Sequence, residues 1–89
     1  MKLIVKRAGH VEQYDEKKLY ASVFAACLAV REPVGTAEVL ADRIVSDVNT
    51  WIGKKHEVTS NDIRRLASEK LHSYNIEASH LYHKQRVIY

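Results

Sequence analysis

Four apolar stripes at helical spacing, parted by a proline, a glycine and a Tyr-Asn break, leave this 89-residue chain few ways to fold. Leu19, Val23, Cys27 and Val30 recur at steps of three and four, behind an Asp15 suited to cap a helix. That helix should stop near Glu32, because Pro33 disfavours helical geometry in the residue before it. Gly35 and Thr36 are expected to open a second helix, with Thr36 as its cap. Leu40, Ile44, Val48, Trp51 and Ile52 form its face, and Gly53 closes it. Thr59 or Ser60 caps a third helix bearing Ile63, Leu66, Ala67 and Leu71, with Asp62 in its first turn, where the dipole favours a carboxylate. After the break at Tyr74 and Asn75, a fourth helix runs from about Ile76 to Arg86, with Ala78, Leu81 and Tyr82 facing inward. Helices this short do not hold their shape alone, so they must bury their stripes against one another.

Short extended pieces flank this helical run. Residues 3–7 and 11–14 read as a hairpin turning at Ala8-Gly9-His10, where Gly9 can take a positive φ. A hairpin in isolation is marginal and has to pack on something. Residues 57–59 allow one more brief strand that can join it. The expected fold class is therefore α+β: a small three-stranded sheet or hairpin cap over a four-helix bundle, one domain spanning residues 1–89. A chain this size buries only about 60% of its unfolded surface, so a ligand or partner adds materially to its stability.

Charge and motif inventory narrow the chemistry. The net charge of +3 favours anionic partners without naming one, since the cations form no single long run. No apolar run reaches the length of a membrane span, and residues 1–7 are too short for a signal peptide, which makes the cytoplasm the expected location. Cys27 is the only cysteine, which leaves no internal disulfide or zinc ribbon, and buried filler is its expected role. His80 and His83 stand three apart on a predicted helix, a spacing that can hold a metal. No further ligand pair stands beside them in the sequence, so a solvated polar face is the simpler reading and no metal is assigned. No nucleophile elbow and no Walker-type glycine loop is present, so the chain reads as a non-enzyme.

The informative string runs from Ile4 to Leu19. Two adjacent cations, Lys6 and Arg7, end the first strand. Glu12 lies on the next strand, Asp15 caps the helix, and Lys18 stands on its first turn. Glu12 and Asp15 can accept hydrogen bonds from an exocyclic amine or a ribose hydroxyl, while Lys18 can reach phosphates. This string, Val5-Lys6-Arg7-Ala8-Gly9 with Glu12, Tyr14 and Lys18-Leu19, resembles the opening of the ATP-cone domain. The likeness continues in Glu57-Val58-Thr59-Ser60-Asn61-Asp62-Ile63, similar to the family's junction before its third helix. It ends in Leu81-Tyr82-His83-Lys84-Gln85-Arg86, similar to the basic end of the last helix. Ala8 departs from the acidic residue common between the Arg and the Gly. Asp15 stands where the family has an amide or an acid.

The resemblance implies a regulatory domain that holds ATP or dATP, with magnesium as an accompanying ion, between the sheet and the helices. By that likeness Lys6, Arg7, Lys18 and Lys84 bind phosphates. Glu12, Gln13, Tyr14, Asp15 and Lys18 flank the base, and Ser60 is a polar contact at a helix N-terminus, itself a sensible anion site. The implied partners are a ribonucleotide reductase subunit or its regulator, or further copies of the chain. Trp51 and Tyr82 are expected to supply apolar contact on the face that changes with the nucleotide. Without zinc ribbon or reductase barrel, the chain reads as an isolated module, a free-standing regulator or part of a longer protein.

Two other readings compete. The net charge and the run Thr59-Ser60-Asn61-Asp62-Ile63-Arg64-Arg65 also suit a basic helical nucleic-acid-binding domain or transcriptional regulator. Asp62 would then face phosphates, which counts against it. The other is an oligomerisation module without a ligand, which the set Lys6, Arg7, Glu12, Lys18 and Lys84 argues against.

Overall fold

The computed structural model describes residues 3–5, 11–55 and 58–84. In chain order these form β1 (Leu3–Val5), β2 (Val11–Gln13), α1 (Glu16–Ala29), α2 (Val34–Ile52), β3 (Val58–Thr59), α3 (Ser60–His72) and α4 (Ile76–Lys84). The turn at Ala8-Gly9-His10 lies outside the described residues, as do Lys6, Arg7 and Arg86.

Each helix begins and ends on identifiable chemistry. Asp15 caps α1 through Oδ1, which accepts the N–H groups of Lys17 at 3.0 Å and Lys18 at 3.3 Å. At the other end Arg31 takes a φ of +66°, and two backbone bonds close the turn around it. Arg31 N–H donates to Leu28 O and Glu32 N–H to Cys27 O, both at 3.0 Å. This is a Schellman closure in which an arginine occupies the left-handed position usually given to glycine. The chain then starts α2 at Val34, earlier than the Gly35-Thr36 opening read from the sequence. Pro33, at φ −57°, has the geometry needed at a helix entrance, and no side chain caps this terminus. Thr36 therefore lies inside the first turn and is not the cap.

Thr59 opens α3 with a reciprocal capping box. Asp62 N–H donates to Thr59 Oγ1 at 3.1 Å, and Thr59 N–H returns to Asp62 Oδ2 at 3.2 Å. Asn75 holds the start of α4, its Oδ1 accepting the Ala78 N–H at 3.0 Å.

Short turns after α1 and α3 make two antiparallel helical hairpins, α1–α2 and α3–α4, and α1 also packs on α4 and α2 on α3. The core between them is continuous. It draws Leu19, Val23, Ala26 and Cys27 from α1, and Ala37, Ala41, Ile44, Val48 and Ile52 from α2. Ile63, Ala67 and Leu71 come from α3, with Ala78 and Tyr82 from α4. The α2 stripe is turned slightly from the expected one. Ala37 and Ala41 are fully buried, whereas Leu40 and Trp51 pack on its margin. Small side chains suit fully buried positions of this kind, since the interior is close-packed and leaves little room for larger ones.

The extended pieces pair in the order β2-β1-β3. β1 runs antiparallel to β2, with Val5 opposite Val11, and parallel to β3, with Ile4 opposite Val58. The expectation of an α+β fold with a three-stranded sheet as a cap over the bundle needs correction here. Helices of 14, 19, 13 and 9 residues make the body, while the extended pieces are 3, 3 and 2 residues long. Pieces this short are too brief to make a second layer over the helices. Among the described side chains, Val58 is the β residue that joins the core. The molecule is a helical fold with a β fragment at one end.

Candidate functional site

The up-and-down course of the helices sorts their ends. α1 and α3 each start from an extended piece, so both N-termini lie beside the β fragment, and α2 and α4 return toward it. The opposite end holds the two tight turns. Asn75 Nδ2 ties them together there by donating to Glu32 Oε1 at 2.6 Å. At the β end the first turn of α1 carries Lys17 and Lys18, and Lys54 and Lys55 follow α2. Arg64 and Arg65 lie on the second turn of α3, and Lys84 sits at the last described position of α4. Two helix N-termini, each with a partial positive charge from its peptide dipoles, thus share one end of the molecule with most of its described cations.

Several expected site residues occupy this end. Gln13 closes β2 and is exposed, and Lys18 projects into solvent from α1. Asp15 is half-buried; both of its capping bonds fall on Oδ1, so the cap makes no use of Oδ2. Ser60, half-buried, is the first residue of α3, while Thr59 makes the side-chain cap. Lys84 is exposed and lines a groove between α3 and α4. Glu12 lies in β2 with its backbone opposite Ile4. The Glu12 side chain is outside the described set, and Lys6 and Arg7 are outside it altogether.

Tyr14 sits between the β fragment and the core. Its ring packs on the apolar cluster, and its hydroxyl is buried with no hydrogen-bond partner among the described residues. Burial pushes the phenol well above its ordinary range, and the nearby carboxylates of Glu16 and Asp15 push it further. Glu16 is engaged in turn: Asn49 Nδ2, from the last turns of α2, donates to its Oε2 at 2.7 Å. This clamp between the start of α1 and the end of α2 was not legible in the sequence, because the two residues are 33 positions apart. Lys17, Lys54 and Lys55 were likewise missed as members of the basic end, since only the fold gathers them.

One expectation fails on burial. Tyr82 is 1% exposed and belongs to the core, so it offers no surface for a changing interface. Trp51 is half-buried, with the Lys55 ammonium 5.3 Å from its ring centre, within the range of a cation–π contact. No group of three or more metal-ligating side chains converges among the described residues, and no described helix is long and apolar enough to cross a membrane.

Comparison with known protein families gives a match over almost the full chain. The family model of the ATP cone domain covers residues 2–89, the whole chain but its first residue. No curated protein matches at a significant level. ATP-cone domains bind ATP or dATP and serve regulation rather than catalysis. With a match over almost its full length, the chain belongs to the ATP-cone family, and its role is that of a nucleotide-binding regulatory domain.

Proposed function

We propose that the basic end of the bundle is where this domain holds its nucleotide, and that occupancy there sets the activity of a ribonucleotide-reductase-type partner or the self-association of the chain. The observation that supports this most directly is the meeting of the α1 and α3 N-termini with Lys18, Lys54, Lys55 and Lys84 at one end. A polyphosphate placed there neutralises cations that otherwise repel one another, and it accepts hydrogen bonds from helix-terminal N–H groups. Lys6, Arg7, Lys18 and Lys84 are assigned to the phosphates and Ser60 to a polar contact beside them. Glu12, Gln13, Tyr14 and Asp15 flank the base, Asp15 through the oxygen its cap does not use. Magnesium would arrive on the phosphates, the usual way this hard cation is held where protein carboxylates do not cage it. The cytoplasm, where nucleotides are abundant, is the matching location.

The alternative reading, a nucleic-acid-binding helix at α3, draws less support. Arg65, one of its two arginines, lies 3.2 Å from Asp62, which places a carboxylate on the face that would meet a phosphate backbone. Steep loss of binding with salt would mark that reading, since each neutralised phosphate releases counterions.

Isothermal titration of the chain with ATP, dATP and GTP tests the proposal. Lys18→Ala is expected to weaken adenine-nucleotide binding by roughly ten- to a hundredfold, the worth of one charge-assisted contact. Asp15→Asn keeps a capping side chain, so a change in its preference between ATP and GTP reports on the base alone. Binding by folded protein that neither substitution alters would refute this placement of the site.

A further inference from the structure

The groove between α3 and α4 brings together two ligand pairs that are far apart in sequence. Glu69 and His72 are three apart on α3, and His80 and His83 are three apart on α4. All four line one groove of about 350 Å³, together with Ser68, Ser79 and Lys84. Residues three apart on a helix share a face, with β-carbons about 5–6 Å apart. The floor explains why the two pairs come close. Ser79 Oγ donates to the Ser68 carbonyl at 2.9 Å, and the two hydroxyls stand 3.1 Å apart. Small residues bonded across the contact draw the helices together, so the side chains on their rims can meet. His72 and His80 do meet, with ring centres 6.2 Å apart.

We infer that this groove binds a divalent transition-metal ion of the zinc type, with His72 and His80 as its anchors. Two imidazoles bound to one tetrahedral ion, with metal–nitrogen bonds of about 2.0–2.1 Å, place their ring centres about 5 Å apart. The observed separation is therefore about 1 Å too long, a gap that small side-chain rotations close. His83 and Glu69 extend the set to three nitrogens and one carboxylate, donors that zinc accepts. Glu-x-x-His spacing facing ligands on a neighbouring helix builds metal sites in bundle cores, and here the same spacing stands on the outer face. As the side chains stand, no three converge on one point. His72, His80, His83 and Glu69 are all exposed, so their rotamers are free to change without disturbing the core. Lys84, the cation at the β end of the groove, opposes a metal charge and favours the His72–His80 end for it. A bound ion would staple α3 to α4 on the outer face of that hairpin.

The test is titration of the tag-free chain with zinc, in the absence of nucleotide, by calorimetry. Cobalt in place of zinc reports coordination through its visible absorption. One ion per chain is expected, with the strong absorption of a tetrahedral cobalt site and a rise in melting temperature. His72→Gln and His80→Gln should each lower affinity more than about tenfold, since even outer-shell changes cost about that much. His10→Gln and His56→Gln should leave it unchanged. All are isosteric enough to fold, and far-UV circular dichroism confirms it. Binding that survives both His72→Gln and His80→Gln, or no binding at millimolar zinc, overturns the inference. The nucleotide reading stands or falls separately, because its titration needs no transition metal.

Discussion

Replacing Arg31 by glycine should stabilise the protein, and the size of the gain follows from one backbone angle. Arg31 holds a φ of +66° to close α1, a conformation that costs a residue with a β-carbon roughly 1–2 kcal/mol and glycine almost nothing. Against that gain, glycine adds freedom to the unfolded chain worth about 0.4–1 kcal/mol. From the middle of both ranges the net stabilisation is about 0.8 kcal/mol. Unfolding entropy of about 2.1 cal/mol/K per residue over 89 residues gives about 0.19 kcal/mol/K. The expected rise in melting temperature is therefore about 3–5 °C. Calorimetry of Arg31→Gly beside Arg31→Ala separates backbone from side chain, because alanine removes the guanidinium but keeps the β-carbon. Arg31→Ala should gain nothing. A glycine variant no more stable than the alanine one would refute the argument that strain is stored at this turn.

Two further substitutions probe polar groups inside the fold. Tyr14→Phe removes a buried hydroxyl that has no described partner, so at neutral pH it should cost nothing or stabilise by up to about 1 kcal/mol. Because the folded phenol titrates above its unfolded value near 10, the wild type should lose stability as the pH rises through about 10 and beyond. Tyr14→Phe should flatten that limb of an alkaline melting series, and an unchanged limb would place the alkaline loss elsewhere. At the opposite end of the bundle, a double-mutant cycle on Glu32→Ala and Asn75→Ser isolates the 2.6 Å bond between the two turns, because serine keeps the α4 cap. The bond involves a charged acceptor and is half-buried, so a coupling of about 1–2 kcal/mol is expected in denaturant melts, and one near zero would make it ornamental.

What the sequence disclosed about the fold was mostly local. Asp15 before a helical stripe, and Thr59 three residues before Asp62, are capping chemistry readable without tertiary knowledge, and both caps form. Where tertiary packing decides, the reading drifted. Helical spacing points to Leu40 and Trp51 on the α2 face, whereas Ala37 and Ala41 are its fully buried members and the two larger residues stay at the margin. α2 starts at Val34, earlier than Thr36, because the fixed φ of Pro33 at the entrance substitutes for a capping hydroxyl. Runs of β-formers such as Leu3–Val5 tell of a strand but not of how short it is beside the helices. Arg31 gave no signal at all, because an arginine in the left-handed region is unusual enough that sequence alone points to glycine instead. Of the site proposed for the nucleotide, Lys18, Asp15 and Ser60 were legible as expectations through a family pattern. The Glu16–Asn49 clamp and the Glu69–His72 pair opposite His80 were not, since each depends on long-range packing.

The arrangement of the two hairpins bears on how a nucleotide would act through the site proposed for it. The α1–α2 and α3–α4 hairpins are tied at the turn end by Glu32 and Asn75, and at the other end by the pairing of β1 with β3. A ligand at the basic end draws residues 12–18 from the first hairpin and Ser60 and Lys84 from the second, so it bridges elements whose far ends are pinned. Such a bridge shifts the angle between the hairpins only by its differential affinity for the two arrangements. ATP and dATP differ by one hydroxyl, and one hydrogen bond is worth a net 0.5–1.5 kcal/mol, roughly two- to thirteenfold. Carrying a two-state equilibrium from one part in a hundred to ninety-nine takes about 10⁴-fold. A single site reading that hydroxyl alone falls short by several hundredfold or more. A sharp response to dATP against ATP then requires either two binding poses that engage different residues of the basic end, or several copies acting together. That shortfall is the physical ground for seeking self-association in this chain.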